Sequence, residues 1–515
     1  MISTREPGEL QALDQHRILM SRCMKLQEIV AGAGVAEALA DPNIDISSIV
    51  YDSRKAGAGS LFVAIRGEKL DGNQFTADAI ARGARTVVSE APRPAELAPD
   101  LAWVRVTDAR KALAITSANF FGHPAEKLEL VGITGTNGKT TTSYLIDSIL
   151  RAAGRKTGLF GTIVHRTPEA THPAATTTPE SLDLQSFLGE VVRASGTHAV
   201  LEASSHALFL DRLWGCRFAA AVFTNLTQDH LDFHKNIENY FSAKRLLFVG
   251  TGAGAPAAGV VNTDDPYGKR LVGLADRTIS YGLEAGAQVT TRKFAARMTG
   301  LDFVADTPGG KVEVHSHLVG RVNVYNLLAA IATAQALGFG KETIEDGIAR
   351  LLAVPGRFER VDLGQPFLVV VDYAHTDDAL RNLTATAREL HGVGRLITLF
   401  GCGGDRDRGK RPLMGEAAGR ASDVVVLSSD NPRGEDPLLI INDALVGLQR
   451  TTAKILVEPD RERAIQIAID EARAGDVVLL AGKGHETTQV LRDGPIAFDD
   501  REAARRALQQ RGYGD

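Results

Sequence analysis

The most informative residues for chemistry form a glycine-rich run at 132–141, Gly-Ile-Thr-Gly-Thr-Asn-Gly-Lys-Thr-Thr, which we call the phosphate loop. Between a strand and a helix, such a run predicts phosphate binding, because backbone N–H groups at the helix N-terminus surround phosphate oxygens. Lys139 is placed to reach the β- and γ-phosphates, and Thr140 to ligate Mg²⁺. Ile133 replaces a glycine of the strict pattern, so the motif is a variant. The alternative is a tight turn with a capping threonine.

A second group of polar residues lies further along the chain. Glu202 and Thr140 offer the oxygen ligands that Mg²⁺ prefers, and His230 is a candidate for the same site. Lys244 fits beside a cation only if its charge is removed, and the pKa of lysine falls readily on burial. Taken singly, these residues also fit an ion pair for Glu202, a capping or core histidine for His230, and a surface lysine for Lys244.

Residues suited to the rest of a nucleotide occur after position 320. Asn323 and Asn326 lie three apart and therefore on one helix face, and asparagine offers the donor and acceptor that suit an adenine edge. Helix capping is the alternative. Arg357 follows a Pro-Gly break and can bind phosphate through two N–H groups. Asp372 ends a strand-like run and is placed to accept a ribose hydroxyl.

Short apolar runs alternate with helical segments, which predicts an α/β fold with parallel sheets. We expect three domains: a small N-terminal α/β domain at 25–125, a central P-loop ATPase-type parallel sheet at 126–354 and a C-terminal doubly wound, Rossmann-like domain at 355–515. Residues 1–24 are expected to form a flexible tail. The more polar alternation at 288–318 indicates an antiparallel edge.

In the C-terminal domain, unusual polar runs follow directly after four predicted strands. They are Asp-Tyr-Ala-His from 372, Gly-Cys-Gly-Gly-Asp-Arg-Asp-Arg-Gly from 401, Asp-Asn-Pro-Arg-Gly from 430 and Gly-Lys-Gly-His-Glu from 482. Ligands of open α/β sheets bind at the carboxyl ends of the strands. The sequence therefore predicts a substrate site at this edge.

Composition excludes several functional classes. The chain has 515 residues and a net charge of −5, so no basic excess indicates a nucleic-acid partner. No apolar run reaches the ~18 residues of a membrane span, and the polar N-terminus is not typical of a signal peptide. Cys23, Cys216 and Cys402 are too sparse for a disulfide framework or a zinc site. We expect a cytoplasmic protein.

The run Thr-Gly-Thr-Asn-Gly-Lys-Thr-Thr at 134–141 resembles that of the Mur ligases, the ATP-dependent amide-forming enzymes of peptidoglycan precursor synthesis. Further motifs of this family occur in the same order: Glu-Ala-Ser-Ser-His from 202, Thr-Asn-Leu-Thr-Gln-Asp-His-Leu-Asp from 224, Asn-Val-Tyr-Asn from 323, Pro-Gly-Arg from 355, and the runs from 372 and 482. Within the family, Asp-Ser-Arg from 52 and Asp-Asn-Pro-Arg from 430 are similar to the branch that adds meso-diaminopimelate rather than L-lysine.

The resemblance implies that meso-diaminopimelate is joined to the D-Glu γ-carboxylate of UDP-MurNAc-L-Ala-D-Glu through an acyl phosphate, with ATP and Mg²⁺. It also implies a monomer with small-molecule partners and a carbamate formed from CO₂ on Lys244.

The implied catalytic residues are Lys139, Lys244 and His375. The implied ATP-binding residues are Gly135, Thr136, Asn137, Gly138, Lys139, Thr140, Thr141, Asn323, Asn326, Arg357 and Asp372. The implied metal ligands are Thr140, Glu202, His230 and the Lys244 carbamate.

The same resemblance implies two further sets of binding residues. Those for the UDP-substrate are Tyr51, Ser53, Thr177, Thr178, Ser204 and Arg212. Those for diaminopimelate are Arg406, Asp430, Asn431, Pro432, Arg433, Gly482 and Glu486. Two departures from the family pattern occur, at Leu210, where glutamine is the better-known residue, and at Thr376-Asp377, where proline is usual.

Diaminopimelate carries two carboxylates and two ammonium groups, so a selective site needs an arginine for the distal carboxylate and an acid for the distal ammonium. Arg433 and Glu486 offer this pair on neighbouring loops. Arg406 adds a second cation, although its charged neighbours also fit an ordinary surface cluster.

Two groups of alternatives stay open. One is a sister ligase of the same fold that adds L-lysine, a dipeptide or glutamate to folate. The other is a P-loop switch or motor ATPase, against which the clustered motifs of 355–486 argue.

Overall fold

The computed structural model describes residues 23–67, 70–391 and 394–514, which form three α/β units along the chain. Most of the predicted tail, residues 1–22, lies outside the described residues. Met24 at its end is not part of a tail, because the strand Met24–Lys25 pairs with Asp45–Ile46. No helix in the described part of the chain is both long and apolar enough to cross a membrane.

The N-terminal unit is a five-stranded sheet, parallel except for one edge strand. In spatial order its strands are Val35–Leu39, Ala102–Val106, Thr86–Ser89, Ser60–Val63 and Ser48–Val50. Its helices are Leu26–Ile29, Thr76–Ala81 and Ala109–Phe121, with short 3₁₀ turns at Ser53–Lys55 and Gly72–Phe75. The edge strand Val35–Leu39 is exposed along its length.

The central unit is an eight-stranded sheet in which six strands are parallel. In spatial order the strands are Thr171–Pro173, Val164–Arg166, Thr157–Phe160, His198–Glu202, Glu129–Thr134, Phe218–Phe223, Ala258–Asn262 and Arg277–Tyr281, the first two antiparallel. Helices cover both faces, as parallel sheets require. One face packs Lys139–Ala152, Arg321–Ala336 and Lys341–Ala349, and the other packs Ser181–Arg193 and Ile237–Val249. Short helices lie at Pro124–Lys127 (3₁₀), Ser205–Phe209, Leu231–His234 and Pro266–Lys269.

The segment predicted as an antiparallel edge is antiparallel but forms a sheet of its own. Its strands are Phe294–Arg297, Gly300–Thr307 and Gly310–Ser316. Tight turns at Gly300 and Gly310, with φ of 142° and 105°, fold the segment back on itself. One isolated bridge, between Val289 and Tyr281, joins the start of the segment to the edge strand Arg277–Tyr281 of the central sheet.

The C-terminal unit is a six-stranded sheet, parallel except for its first strand. The spatial order is Glu359–Arg360, Leu368–Asp372, Val477–Ala481, Leu396–Phe400, Val424–Leu427 and Lys454–Val457. Helices Asp377–His391, Lys410–Ala421 and Pro437–Leu448 cover one face, and Arg461–Glu471 and Asp500–Gln510 the other. A hairpin pairs Thr488–Leu491 with Gly494–Ala497. The doubly wound prediction is confirmed, and the four polar runs follow neighbouring strands.

Candidate active site

The phosphate loop joins the strand Glu129–Thr134 to the helix Lys139–Ala152, as predicted. Gly135 and Gly138 have φ of 150° and 88°. A Cβ at Gly135 would lie 1.9 Å from Thr224 Oγ1, which no side chain could tolerate. Both glycines are needed because the loop combines a positive φ with close packing.

The end of the neighbouring strand anchors this loop. Asn225 accepts hydrogen bonds from Thr136 N through its main-chain O at 2.8 Å and from Asn137 N through Oδ1 at 2.9 Å. Thr224 Oγ1 donates to Asn137 O at 2.6 Å. Thr141 is buried at the start of the following helix. The loop is therefore pre-shaped by side chains from another strand.

Lys139 and Thr140 lie at the helix N-terminus that begins at this loop. Lys139 Nζ donates to Gly135 O at 2.9 Å and to Thr136 O at 2.8 Å, which places the ammonium over the loop. Burial lowers the pKa of this ammonium. Thr140 Oγ1 donates to Glu202 Oε2 at 3.0 Å.

The Glu202 carboxylate is a candidate magnesium ligand. It is 1% exposed and is oriented by Thr162, whose N and Oγ1 donate to it at 2.9 and 3.0 Å. Mg²⁺ usually takes one or two carboxylates and completes its shell with water and phosphate oxygens. Thr140 and Glu202 fit such a site. In the described ranges no three His, Cys, Asp or Glu side chains form a metal cluster by themselves.

Lys244 and Lys139 donate to the same carbonyl oxygen of the phosphate loop, that of Gly135. Lys244 is 1% exposed, its Nζ donates to Gly135 O at 2.7 Å, and it lies 4.4 Å from the centre of the Tyr240 ring. Burial and the charge of Lys139 hold its pKa well below the ordinary lysine value. Because Lys244 is buried, the surface-lysine alternative is wrong for it. A neutral amine is the form that reacts with CO₂.

His230 follows Asp229 at the edge of the same site. Its Nε2 lies 3.4 Å from Asp229 Oδ2, and its backbone has a φ of 53°. Desolvation lowers its pKa to about 3, which favours the neutral imidazole although 46% of the side chain is exposed. A neutral imidazole suits a metal ligand.

The adenine candidates lie beside the phosphate loop, and the ribose candidate Asp372 ends the strand Leu368–Asp372. Asn326 Nδ2 donates to Asn323 Oδ1 at 2.8 Å, which confirms that both lie on one face of the helix Arg321–Ala336. Asn326 Oδ1 would contact a Cβ at Gly138, so this face borders the phosphate loop. The Asp372 carboxylate accepts from two backbone N–H groups at 2.7 and 2.8 Å, and burial raises its pKa.

Arg357 joins the C-terminal unit to the phosphate loop. Its Nη2 donates to Thr140 Oγ1 at 3.3 Å, and its guanidinium lies 4.4 Å from the centre of the Tyr373 ring. His375 Nδ1 lies 2.8 Å from Tyr373 O. Because a carbonyl only accepts, Nδ1 carries the proton and Nε2 keeps its lone pair. Burial lowers the pKa of His375, which favours this neutral form.

Two more contacts cross between these units. Asn137 Nδ2 donates to Asp378 Oδ2 at 2.9 Å, and Lys410 Nζ lies 3.4 Å from Asp229 Oδ1. Asp377, where the family usually has proline, starts the helix Asp377–His391. The departure therefore leaves the helix start in place.

Four of the predicted UDP-substrate residues border Glu202. Thr178 Oγ1 donates to the main-chain O of Glu202 at 2.7 Å and accepts from Ser204 N at 3.1 Å. Arg212 Nη1 donates to Thr178 O at 3.0 Å. The hydroxyl of Thr177 lies 3.2 Å from that of Thr162, which itself binds Glu202. In the N-terminal sheet, Tyr51 donates to Asp183 at 2.6 Å, and Ser53 is buried.

Arg433 and Arg406 lie at the strand-end loops of the C-terminal sheet. Arg433 Nη1 donates to Gly404 O at 2.8 Å, and its φ is 52°. Burial and the Arg406 guanidinium lower the pKa of Arg433. Two neighbouring guanidiniums favour an anion between or beside them.

The other predicted amino-acid residues are more buried. Asp430, Asn431 and Pro432 are buried in the loop after Val424–Leu427. Asn431 Nδ2 donates to Glu486 Oε2 at 3.0 Å, which joins two of the loops. Gly482 has φ of 115°, and its N donates to the main-chain O of Asp372 at 3.0 Å.

A buried arginine holds the two strand ends under these loops. Arg461 donates to Ser429 O at 3.3 Å and to Ala481 O at 3.0 Å. It forms a two-bond ion pair with Asp500 at 2.8 and 2.7 Å, and both side chains are 0% exposed. Its partners come from separate parts of the chain.

Sequence reasoning missed several residues of this site. Three of them, Thr224, Asn225 and Lys483, lie inside the motifs quoted above. Their place within those motifs could have identified them. Thr162, Asp378 and Arg461 carry no local signal, because each acts on a residue that is distant in the chain.

Comparison with known proteins identifies the family. Models described as "Mur ligase family, catalytic domain", "Mur ligase middle domain" and "Mur ligase, glutamate ligase domain" match residues 45–121, 133–334 and 356–484. UDP-N-acetylmuramoyl-L-alanyl-D-glutamate–2,6-diaminopimelate ligases from Solibacter usitatus (strain Ellin6076) and Geobacillus kaustophilus (strain HTA426) are 54% and 46% identical. The alignments cover 95% and 91% of this chain and 99% and 96% of the relatives. A solved ligase of the same name is 33% identical, with a TM-score of 0.66, covering 96% of this chain and all of that one. The chain belongs to the Mur ligase family.

Proposed function

We propose that this chain is the ligase that joins meso-diaminopimelate to UDP-MurNAc-L-Ala-D-Glu at the expense of ATP. The observation that carries this proposal is the contact of Arg357, from the C-terminal unit, with Thr140 of the phosphate loop. Arg433 and Glu486 lie on strand-end loops of the same C-terminal sheet. The relatives of 54% and 46% identity carry the name of this activity. ATP use rests on the phosphate loop and its Lys139.

In the first step, an oxygen of the D-Glu γ-carboxylate attacks the γ-phosphorus of ATP, and ADP leaves. Several anions meet here, so the step requires cations and fixed donors. Lys139 neutralises phosphate charge, and Arg357 can add a second cation beside Thr140. When bound, Mg²⁺ would supply charge neutralisation. Thr140 and Glu202 would hold one ion, and Glu202 with His230 and carbamylated Lys244 a second.

In the second step, an amine of diaminopimelate attacks the acyl carbon, the acyl–oxygen bond breaks, and inorganic phosphate leaves with the proton that the amine nitrogen loses. We propose that His375 acts near the γ-phosphate through Nε2. The lone pair of Nε2 is available because the other ring nitrogen, Nδ1, contacts Tyr373 O. Arg433 and Arg406 bind the distal carboxylate, and Glu486 the distal ammonium. Ser204, Arg212 and their neighbours hold the sugar-dipeptide near Glu202.

Closure of the units over ATP protects the acyl phosphate from water. The Asn137–Asp378 and Asp229–Lys410 contacts support this proposal. We further propose that the protein is a monomer and acts in the cytoplasm. Its partners are its small-molecule substrates and not nucleic acid. Sedimentation of the pure protein at working concentration tests the monomer.

Mass spectrometry of the product tests the activity. The enzyme is incubated with ATP, Mg²⁺ and UDP-MurNAc-L-Ala-D-Glu, with either meso-diaminopimelate or L-lysine. We expect a tripeptide product with diaminopimelate and far less with lysine. Preferred use of lysine, or ATP hydrolysis without any ligated product, would overturn the proposal.

A further inference from the structure

The loop at 482–486 contains a buried lysine that the reaction above does not use. Lys483 is 0% exposed. Its Nζ donates to Glu486 Oε2 at 2.9 Å and to Asn431 Oδ1 at 3.2 Å, and lies 3.8 Å from Asp430 Oδ1. Lysine is almost never fully buried unless it is paired. All of its partners belong to the loops that we assign to diaminopimelate.

Lys483 and Asn431 both hold the same oxygen of Glu486. Asn431 Nδ2 donates to Glu486 Oε2 at 3.0 Å, while its Oδ1 also accepts from Val490 N at 2.9 Å. Within the described ranges no protein group donates a hydrogen bond to Oε1 of Glu486. The Glu486 side chain is 29% exposed, whereas Lys483 behind it is covered. One carboxylate oxygen is thus fixed, and the other is available to a ligand.

The ammonium of Lys483 also separates two acidic groups. Burial raises the pKa of Asp430, and Glu486 adds to that increase. For Glu486, burial raises the pKa, but Lys483 and Asn431 outweigh it and hold the pKa below its ordinary value. Without Lys483, one of two neighbouring carboxylates tends to take up a proton and to lose its attraction for an ammonium.

We propose that Lys483 is a positioning residue for the amino-acid substrate: it keeps the Glu486 carboxylate oriented so that Oε1 receives the distal ammonium of diaminopimelate. The inference rests on the proposed function, and it deepens the specificity part of it. A carboxylate held by two donors loses little further freedom when the substrate binds, so its interaction is stronger than that of a freely rotating one. Lys483 itself touches no substrate.

A substrate comparison tests this role. Lys483→Met removes the charge at nearly constant volume, and 2-aminopimelate lacks only the distal ammonium of diaminopimelate. We expect Lys483→Met to raise KM for diaminopimelate about ten- to a hundredfold, because Glu486 is no longer held. KM for 2-aminopimelate should change less than about threefold, and KM for ATP and the UDP-substrate less than about twofold. Equal losses with both amino acids, or no loss, would overturn the proposal.

A second pair of variants keeps the test valid if Lys483→Met does not fold. Glu486→Gln and the double variant Lys483→Met/Glu486→Gln leave no uncompensated Glu486 charge. If Lys483 acts through Glu486, both variants should show the same KM for diaminopimelate within about threefold. A further tenfold loss in the double variant would contradict the proposal.

Arg395→Met is the matched control. Arg395 pairs with Asp476 and Glu471 at the opposite end of the same sheet. This variant should lower Tm but leave KM for diaminopimelate within about twofold. If the wild-type enzyme makes no tripeptide from diaminopimelate, the proposed function fails. If the wild-type enzyme makes the tripeptide, but Lys483→Met raises KM equally for diaminopimelate and 2-aminopimelate, only the role of Lys483 fails.

Discussion

The phosphate loop and the loops proposed to bind the amino acid both follow the carboxyl ends of parallel strands, yet they are built differently. The phosphate loop is one continuous run, in which backbone N–H groups and two glycines with positive φ form the surface for the ligand. The proposed amino-acid site draws on the loops at 401–409, 430–434 and 482–486, which we call the amino-acid loops, and depends on side-chain charges held by other charged groups. Arg411, for example, is 1% exposed and pairs with Glu435 and Asp443 beneath these loops.

This difference predicts different responses to substitution. A change in the phosphate loop affects the step that all amino-acid substrates share. A change in a substrate-binding residue of the amino-acid loops should alter the choice of substrate and leave phosphate transfer in place. The four predictions below test this contrast from the largest expected effect to the smallest.

Lys139→Ala should lower kcat by about 10²–10³ or more while the fold stays intact, because the ammonium neutralises phosphate charge in the transition state. The measurement is kcat at saturating ATP, with Tm to check folding. Lys156→Ala, an exposed lysine just beyond the same helix, should keep the wild-type rate. A near-normal rate for Lys139→Ala would refute the phosphate-loop assignment.

Lys244→Ala should lose at least about a hundredfold in rate, and acetate should restore part of it by replacing the carbamate oxygens. Lys244→Arg keeps the cation but forms no such carbamate, so it should be as inactive as the alanine variant. Rates with and without acetate measure the rescue, and ¹³C NMR of the folded protein under ¹³CO₂ measures the carbamate. Full activity of Lys244→Arg would exclude the carbamate.

Arg433→Ala should raise KM for diaminopimelate about ten- to a hundredfold, because the distal carboxylate loses its charged partner. KM for ATP and the UDP-substrate should barely change, in contrast to the shared effect of the phosphate loop. Arg408→Ala, an exposed arginine on a neighbouring loop, is the control. A KM for diaminopimelate within twofold of the wild-type value would contradict the role of Arg433 in specificity. A joint shift of all three KM values and Tm would instead indicate that Arg433 anchors its loop.

The smallest effect is the pH dependence of the Lys483–Glu486 pair. The folded pKa of Glu486 lies below its ordinary value of 4.5, so the pair stabilises the fold above that pH, and the contribution is lost as the pH falls through the lowered pKa. Because Glu486 is partly exposed, the contribution should be about 1 kcal/mol or less. The Tm difference between wild type and Glu486→Gln should shrink on acidification from neutral pH, and growth of that difference would contradict the sign.

Much of the site was predictable because its signals are local. The strand, loop and helix around Lys139 occur where the sequence predicts them, since glycine spacing and an apolar run determine this unit without help from distant residues. The separate sheet formed by 294–316 was not predictable as such, because strand partners are chosen by turn geometry and packing.

By itself, the sequence determined the three α/β units, the phosphate loop and the order of the polar runs after the C-terminal strands. Tertiary structure alone decided which of those runs meet, since Val477–Ala481 inserts between Leu368–Asp372 and Leu396–Phe400. It also decided that Lys244 and Lys483 are buried rather than on the surface. The physical reason is that burial and charge pairing depend on neighbours brought together from distant parts of the chain, which no local pattern specifies.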